Sequence, residues 1–124
     1  MKRKPAGSRK ARTAALEVTS PGCPTRIVVG ADLLDDLGSY LSAGTRHAIV
    51  TNPTVLALHG GRVGASLSRA GVAHSFIEVP DAESSKSLEV AGSVGGRMSS
   101  QGFSRDSCVV SLGGGAVGDL AGFV

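Results

Sequence analysis

The chain has 124 residues, 41% apolar and 19% charged, enough apolar material to close a core and too short for a second full domain. No apolar run reaches the roughly 18 residues a membrane helix needs, which excludes a transmembrane span. The formal charge of +3 comes from Lys2, Arg3, Lys4, Arg9, Lys10 and Arg12, which stand without an acid at the amino end; residues 14–124 hold seven basic against ten acidic side chains. A nucleic-acid role would rest on that tail alone. With no Trp and only Tyr40, Phe76, Phe103 and Phe123, the body lacks the aromatic platform of a single-strand binder.

Residues 1–16 read as a basic, flexible tail. An Arg-rich, acid-free stretch also suits an organelle-targeting segment, but no apolar core follows it, which excludes a secretory signal. Beyond the tail, Thr25–Val29 is a short β-branched run that Gly30 ends. Over residues 31–41, Leu33, Leu34, Leu37 and Leu41 form a helical stripe. His47–Thr51 reads as a second strand. Asn52-Pro53 breaks it, and Pro53 suits the first turn of a helix carrying Val55, Leu58, Val63 and Leu67, with Gly71 as its carboxyl cap. Residues 74–79 form a third strand, stopped by Pro80-Asp81. A helix from about Ser87 places Leu88, Ala91, Val94 and Met98 on one side, although Gly92, Gly95 and Gly96 weaken it. Residues 107–112 form a fourth strand. Val117, Leu120, Ala121 and Val124 then restart a helical stripe with no capping residue, so the chain reads as the amino-terminal piece of a longer protein. Strands alternating with crossover-length helices predict an open parallel α/β sheet with helices on both faces.

Glycine is the compositional anomaly, 18 of 124, about twice the usual ~7%. It concentrates in Leu112-Gly113-Gly114-Gly115-Ala116-Val117-Gly118-Asp119, between a strand and a helix. Backbone N–H groups at such a helix start favour an anion such as a diphosphate, and Gly113, Gly115 and Gly118 satisfy G-x-G-x-x-G. The fingerprint belongs after a first strand, however, and the same glycines equally permit close helix–sheet packing. Pro80-Asp81-Ala82-Glu83-Ser84-Ser85-Lys86 joins a strand end to a helix start; its acids suit ribose hydroxyls and Lys86 suits phosphate, and a plain polar turn is the alternative. Thr51-Asn52 could touch a cofactor or simply form the turn before Pro53. All three segments fall at carboxyl ends of predicted parallel strands, where α/β sheets bind ligands. Cys23 and Cys108 match no CxxC or zinc spacing and read as free thiols of a cytoplasmic protein. His47, His59 and His74 share no metal-ligand spacing.

The segments Pro80-Asp81-Ala82-Glu83-Ser84-Ser85-Lys86-Ser87-Leu88-Glu89, Gly102-Phe103-Ser104-Arg105-Asp106-Ser107 and Leu112-Gly113-Gly114-Gly115-Ala116-Val117-Gly118-Asp119-Leu120-Ala121-Gly122-Phe123-Val124 resemble the 3-dehydroquinate synthase family, within the sugar-phosphate cyclases. Ala48-Ile49-Val50-Thr51-Asn52 and Val29-Gly30-Ala31-Asp32-Leu33-Leu34 fit in order and spacing, so the resemblance covers residues 17–124. It implies a truncated, Rossmann-like NAD-binding domain over those residues, without the helical metal and substrate domain. The implied reaction converts 3-deoxy-D-arabino-heptulosonate 7-phosphate, a small-molecule sugar phosphate, into 3-dehydroquinate and phosphate. It belongs to the shikimate route to chorismate and aromatic amino acids. The implied cofactors are NAD and a divalent metal, zinc or cobalt, in an enzyme that works as a homodimer. By motif position, Asp81, Glu83 and Lys86 would belong to the cofactor site. Gly114, Gly115, Ala116 and Asp119 would line the diphosphate loop, and Asn52 would approach the adenosine ribose. No catalytic or metal-ligating residue is assigned to this chain, because the family's Glu and His ligands and its catalytic Lys and Arg residues lie in later sequence. Two departures stand out: Ala82 replaces a usual glycine, and Gly95-Gly96 interrupts a helix. The chain alone is therefore expected to be inactive. A related cyclase or polyol dehydrogenase, or a vestigial nucleotide-binding protein, remain the alternatives.

Overall fold

Strand-forming sequence begins earlier than the basic tail suggests. The computed structural model describes residues 13–19, 21–81 and 83–124; residues 1–12 of the expected tail, and Ala82, lie outside the described residues. The described residues divide into two compact units, one ending at Leu33 and the other running from Leu34 to Val124.

In the first unit, β1 (Ala14–Val18) pairs antiparallel with β2 (Thr25–Val29), setting Leu16 opposite Ile27 and Glu17 opposite Arg26. Residues 14–16 therefore belong to a strand and not to a tail. The run at 25–29 likewise corrects the expectation of a fourth strand in the parallel sheet. The reason lies in Arg26: a strand of a parallel sheet is covered on both faces, and an arginine within the strand fits poorly there, whereas an antiparallel hairpin can leave one face to water. No position of β2 is fully buried.

The second unit is built on β3 (His47–Thr51), β4 (His74–Glu78) and β5 (Cys108–Leu112), parallel and ordered β4-β3-β5. The sheet has three strands, and β3 at its centre is buried at every position. Side-chain alternation along the strands sends residues to opposite faces. Ala48, Val50, Ile77 and Val79 pack with Ala91 and Val94 of α2 (Leu88–Ser100) and with Val117, Leu120 and Ala121 of α3 (Gly115–Phe123). Ile49 packs on the other face with Val63 and Leu67 of α1 (Pro53–Arg69) and with Leu34, Leu37 and Leu41. Helices on both faces are what the strand–helix alternation predicted.

The stripe at 31–41 forms a 3₁₀ segment, Leu33–Tyr40, instead of an α-helix. Three residues per turn stack Leu34 over Leu37, and the segment lies hard against α1. A Cβ on Gly38 would stand 2.6 Å from the Ser66 carbonyl oxygen, and the Gly38 amide donates to Ser66 Oγ at 3.0 Å. Arg62 of α1 clamps the same segment through both oxygens of Asp35, at 2.9 and 2.7 Å, which holds that carboxyl below its usual pKa. Both long helices close alike. Gly71 and Gly102, with φ of 68° and 76°, let Val72 and Phe103 reach back to the Leu67 and Met98 carbonyls, the Schellman arrangement that glycine makes easy.

Candidate functional site

A crevice between strands whose outgoing helices lie on opposite faces is the usual ligand position of an open α/β sheet. β3 leads into α1 on one face, whereas its two neighbours, β4 and β5, lead into α2 and α3 on the other; of the two crevices this leaves at the carboxyl edge beside β3, the one between β3 and β5 receives the glycine loop. Asn52 leaves β3 there, and Gly113-Gly114-Gly115 leaves β5. The loop after β4 reaches the same edge.

The glycine loop divides into two roles. A Cβ on Gly113 would come within 2.9 Å of Val117, so Gly113 serves packing. Gly114 and Gly115 face open space, with nothing within 4 Å of a would-be Cβ. Gly114 is the N-cap of α3 and provides no side-chain cap, and no acid stands in the first turn. The first amides of a helix have no intrahelical partner. The amides of Gly115, Ala116 and Val117 thus form an uncapped, acid-free donor set beside an open cradle. The geometry fits a diphosphate; the third glycine of the fingerprint, Gly118, meets only an ordinary contact with Ser111 Oγ at 3.9 Å.

The acidic loop is tied to both flanking helices. Asp81 accepts from Thr54 Oγ1 of α1 at 3.1 Å, a link the sequence did not signal, and Ser84 Oγ donates to the Asp81 carbonyl at 2.8 Å. Lys86 Nζ reaches Asp119 Oδ2 of α3 at 2.8 Å and Glu83 Oε2 at 3.4 Å. These carboxylates, Asp119 foremost, hold the Lys86 pKa above the usual lysine value. Glu83, Lys86 and Asp119 therefore meet in one cluster, while Asp81 pairs with Thr54 of α1 instead. Asn52 spends its side chain on the turn alternative: Oδ1 accepts from the Val55 amide at 2.8 Å and caps α1. Thr51, named only as its partner in the sequence, is fully buried and donates to the Leu112 carbonyl at 2.7 Å.

From the Lys86–Asp119 pair a cleft of about 280 Å³ runs between α2 and α3, lined otherwise by Ser87, Leu88, Ala91, Leu120 and Phe123. Leu88 and Phe123 are 78% and 68% exposed. Among the described residues no group of three or more His, Cys, Asp or Glu side chains is arranged to hold a metal ion. None of the described helices is long and apolar enough to cross a membrane.

Residues 76–124 match the sequence model of the 3-dehydroquinate synthase N-terminal family. A 3-dehydroquinate synthase of Pelotomaculum thermopropionicum is 42% identical over 101 residues, covering 79% of this chain and 27% of that protein. One of Streptomyces coelicolor is 39% identical over 101 residues, covering 82% and 28%. The chain thus spans less than a third of the length of these relatives. In fold it is similar to the crystal structure of a 2-deoxy-scyllo-inosose synthase, with a TM-score of 0.77 and 16% identity over 88% of this chain and 31% of that one.

Proposed function

We propose, for a chain that carries the N-terminal region of the 3-dehydroquinate synthase family, that it binds NAD in the crevice between β3 and β5. There it serves the conversion of 3-deoxy-D-arabino-heptulosonate 7-phosphate into 3-dehydroquinate and phosphate. The observation that carries this reading is the uncapped start of α3 with open space at Gly114 and Gly115. When bound, NAD supplies the hydride acceptor and donor for transient oxidation of a substrate hydroxyl. The amides of Gly115, Ala116 and Val117 hold the diphosphate, and Gly114 leaves room for it to approach. Asp81 and Glu83 accept from ribose hydroxyls, and Asn52, whose Oδ1 is committed to the α1 cap, would have its Nδ2 to offer the adenosine ribose. Lys86 has three donors; two hold Asp119 and Glu83 in place, and the third meets a ligand oxygen. The divalent metal implied by the resemblance finds no donor set among the described residues, and no step is assigned to it.

Calorimetric titration of the chain with NAD tests the reading. Binding is expected, weaker than about 1 μM because the chain supplies part of the contacts only. A Cβ on Gly114 meets nothing within 4 Å in the free chain, so Gly114→Val should weaken NAD binding more than about tenfold, beyond the small loss of stability expected from valine at an N-cap, which the melting temperature of the free variant measures. Equal affinity in the variant would remove the glycine loop from the cofactor site.

A further inference from the structure

We infer that Thr51 is the positioning residue that fixes the three loops of the candidate site relative to one another. Its hydroxyl donates to the Leu112 carbonyl at 2.7 Å, the last carbonyl of β5 before Gly113-Gly114-Gly115. Its own carbonyl accepts from the Val79 amide at 2.8 Å, immediately before Pro80-Asp81 and the acidic loop. The next residue, Asn52, caps α1. One residue of the central strand therefore ties down the point where each of the three segments departs.

The side chain is 0% exposed, so water cannot replace Leu112 as the partner of its hydroxyl. The segment it anchors needs anchoring: three consecutive glycines have the widest backbone freedom in the chain, and whatever direction β5 gives them sets where the α3 amides point. Branching at Cβ restricts the Thr51 χ1 rotamer, which keeps the hydroxyl aimed across to β5. Thr51 touches no ligand in this arrangement; it acts through the Leu112 carbonyl on the glycine loop. Its effect on ligand affinity rests on the NAD reading above, whereas its effect on the loop does not.

Thr51→Val keeps the shape and removes the donor, and Thr51→Ser keeps the donor. In the 124-residue chain, NAD titration should give a loss of about tenfold for Thr51→Val, the equivalent of one net hydrogen bond, and near wild-type affinity for Thr51→Ser. Hydrogen exchange without ligand should show the Gly118 amide, which bonds the Gly114 carbonyl at 3.0 Å, exchanging faster in Thr51→Val than in either the wild type or Thr51→Ser. If Thr51→Val does not fold, Thr51→Ala against Thr51→Ser asks the same question. Wild-type exchange at Gly118 in the variants lacking the hydroxyl, or equal loss in the serine variant, overturns the inference. Failure of the wild-type chain to bind NAD sinks the cofactor reading instead, and the exchange comparison then decides the role of Thr51 alone.

Discussion

Lys86 carries one positive charge between the carboxylates of Asp119 and Glu83, and its protonation follows from that position. Because both partners raise its pKa on folding, the pair's contribution to stability is complete below the unfolded lysine value of about 10.4. It is lost as pH rises through the higher folded value. The stability difference between wild type and Lys86→Met, followed by urea denaturation, should therefore be present near neutrality and vanish in strongly alkaline solution. A difference that persists there would mean that Lys86 acts by packing its stem and not by its charge. Asn52 shows the limit of residue-level reading. Its position before Pro53 identified a turn or a cofactor contact, and the structure shows the turn, since a side-chain oxygen is a ready partner for a helix's third amide.

Among the elements, α1 and the 3₁₀ segment beside it are held by a close backbone approach that only glycine allows. Gly38→Ala would drive a methyl group onto the Ser66 carbonyl, a backbone atom that cannot swing aside, and should cost about 1–3 kcal/mol. The glycines of α2 are different. Gly92 and Gly96 have open space around a Cβ, so Gly92→Ala and Gly96→Ala should each stabilise by about 0.5–1 kcal/mol. Chemical denaturation of the three variants checks both signs at once. The helix survives its glycines because Ser87 caps it, accepting from the Val90 amide at 3.2 Å, and because Ala91 and Val94 are buried on the sheet. The first β-run had the opposite history. Its strand character was plain in the letters, but its partner, β1, lay where six basic residues masked the alternation that follows them.

At the scale of the whole molecule, ligand binding and folding are linked. Saturating NAD at about a hundred times its dissociation constant should raise the apparent stability of the chain by about 2.7 kcal/mol, read as an upward shift in melting temperature that Gly114→Val, at the same NAD concentration, cuts to about half or less. The same chain, supplied with substrate, NAD and zinc or cobalt, should release no phosphate, since it spans less than a third of its relatives; measurable turnover would overturn that expectation. The parallel β/α alternation, the helix starts at Asn52-Pro53 and Ser87, the glycine turns and the family itself were legible in the sequence, because each depends on neighbours in the chain or on a long contiguous motif. Only the tertiary structure decided that Thr25–Val29 pairs antiparallel, that Asp81 and Asp119 answer to different partners, and that Thr51 joins three loops. Those outcomes depend on atoms brought together from positions 27 to 61 residues apart, or on which strand edge is free, and no local pattern of residue types encodes such distances.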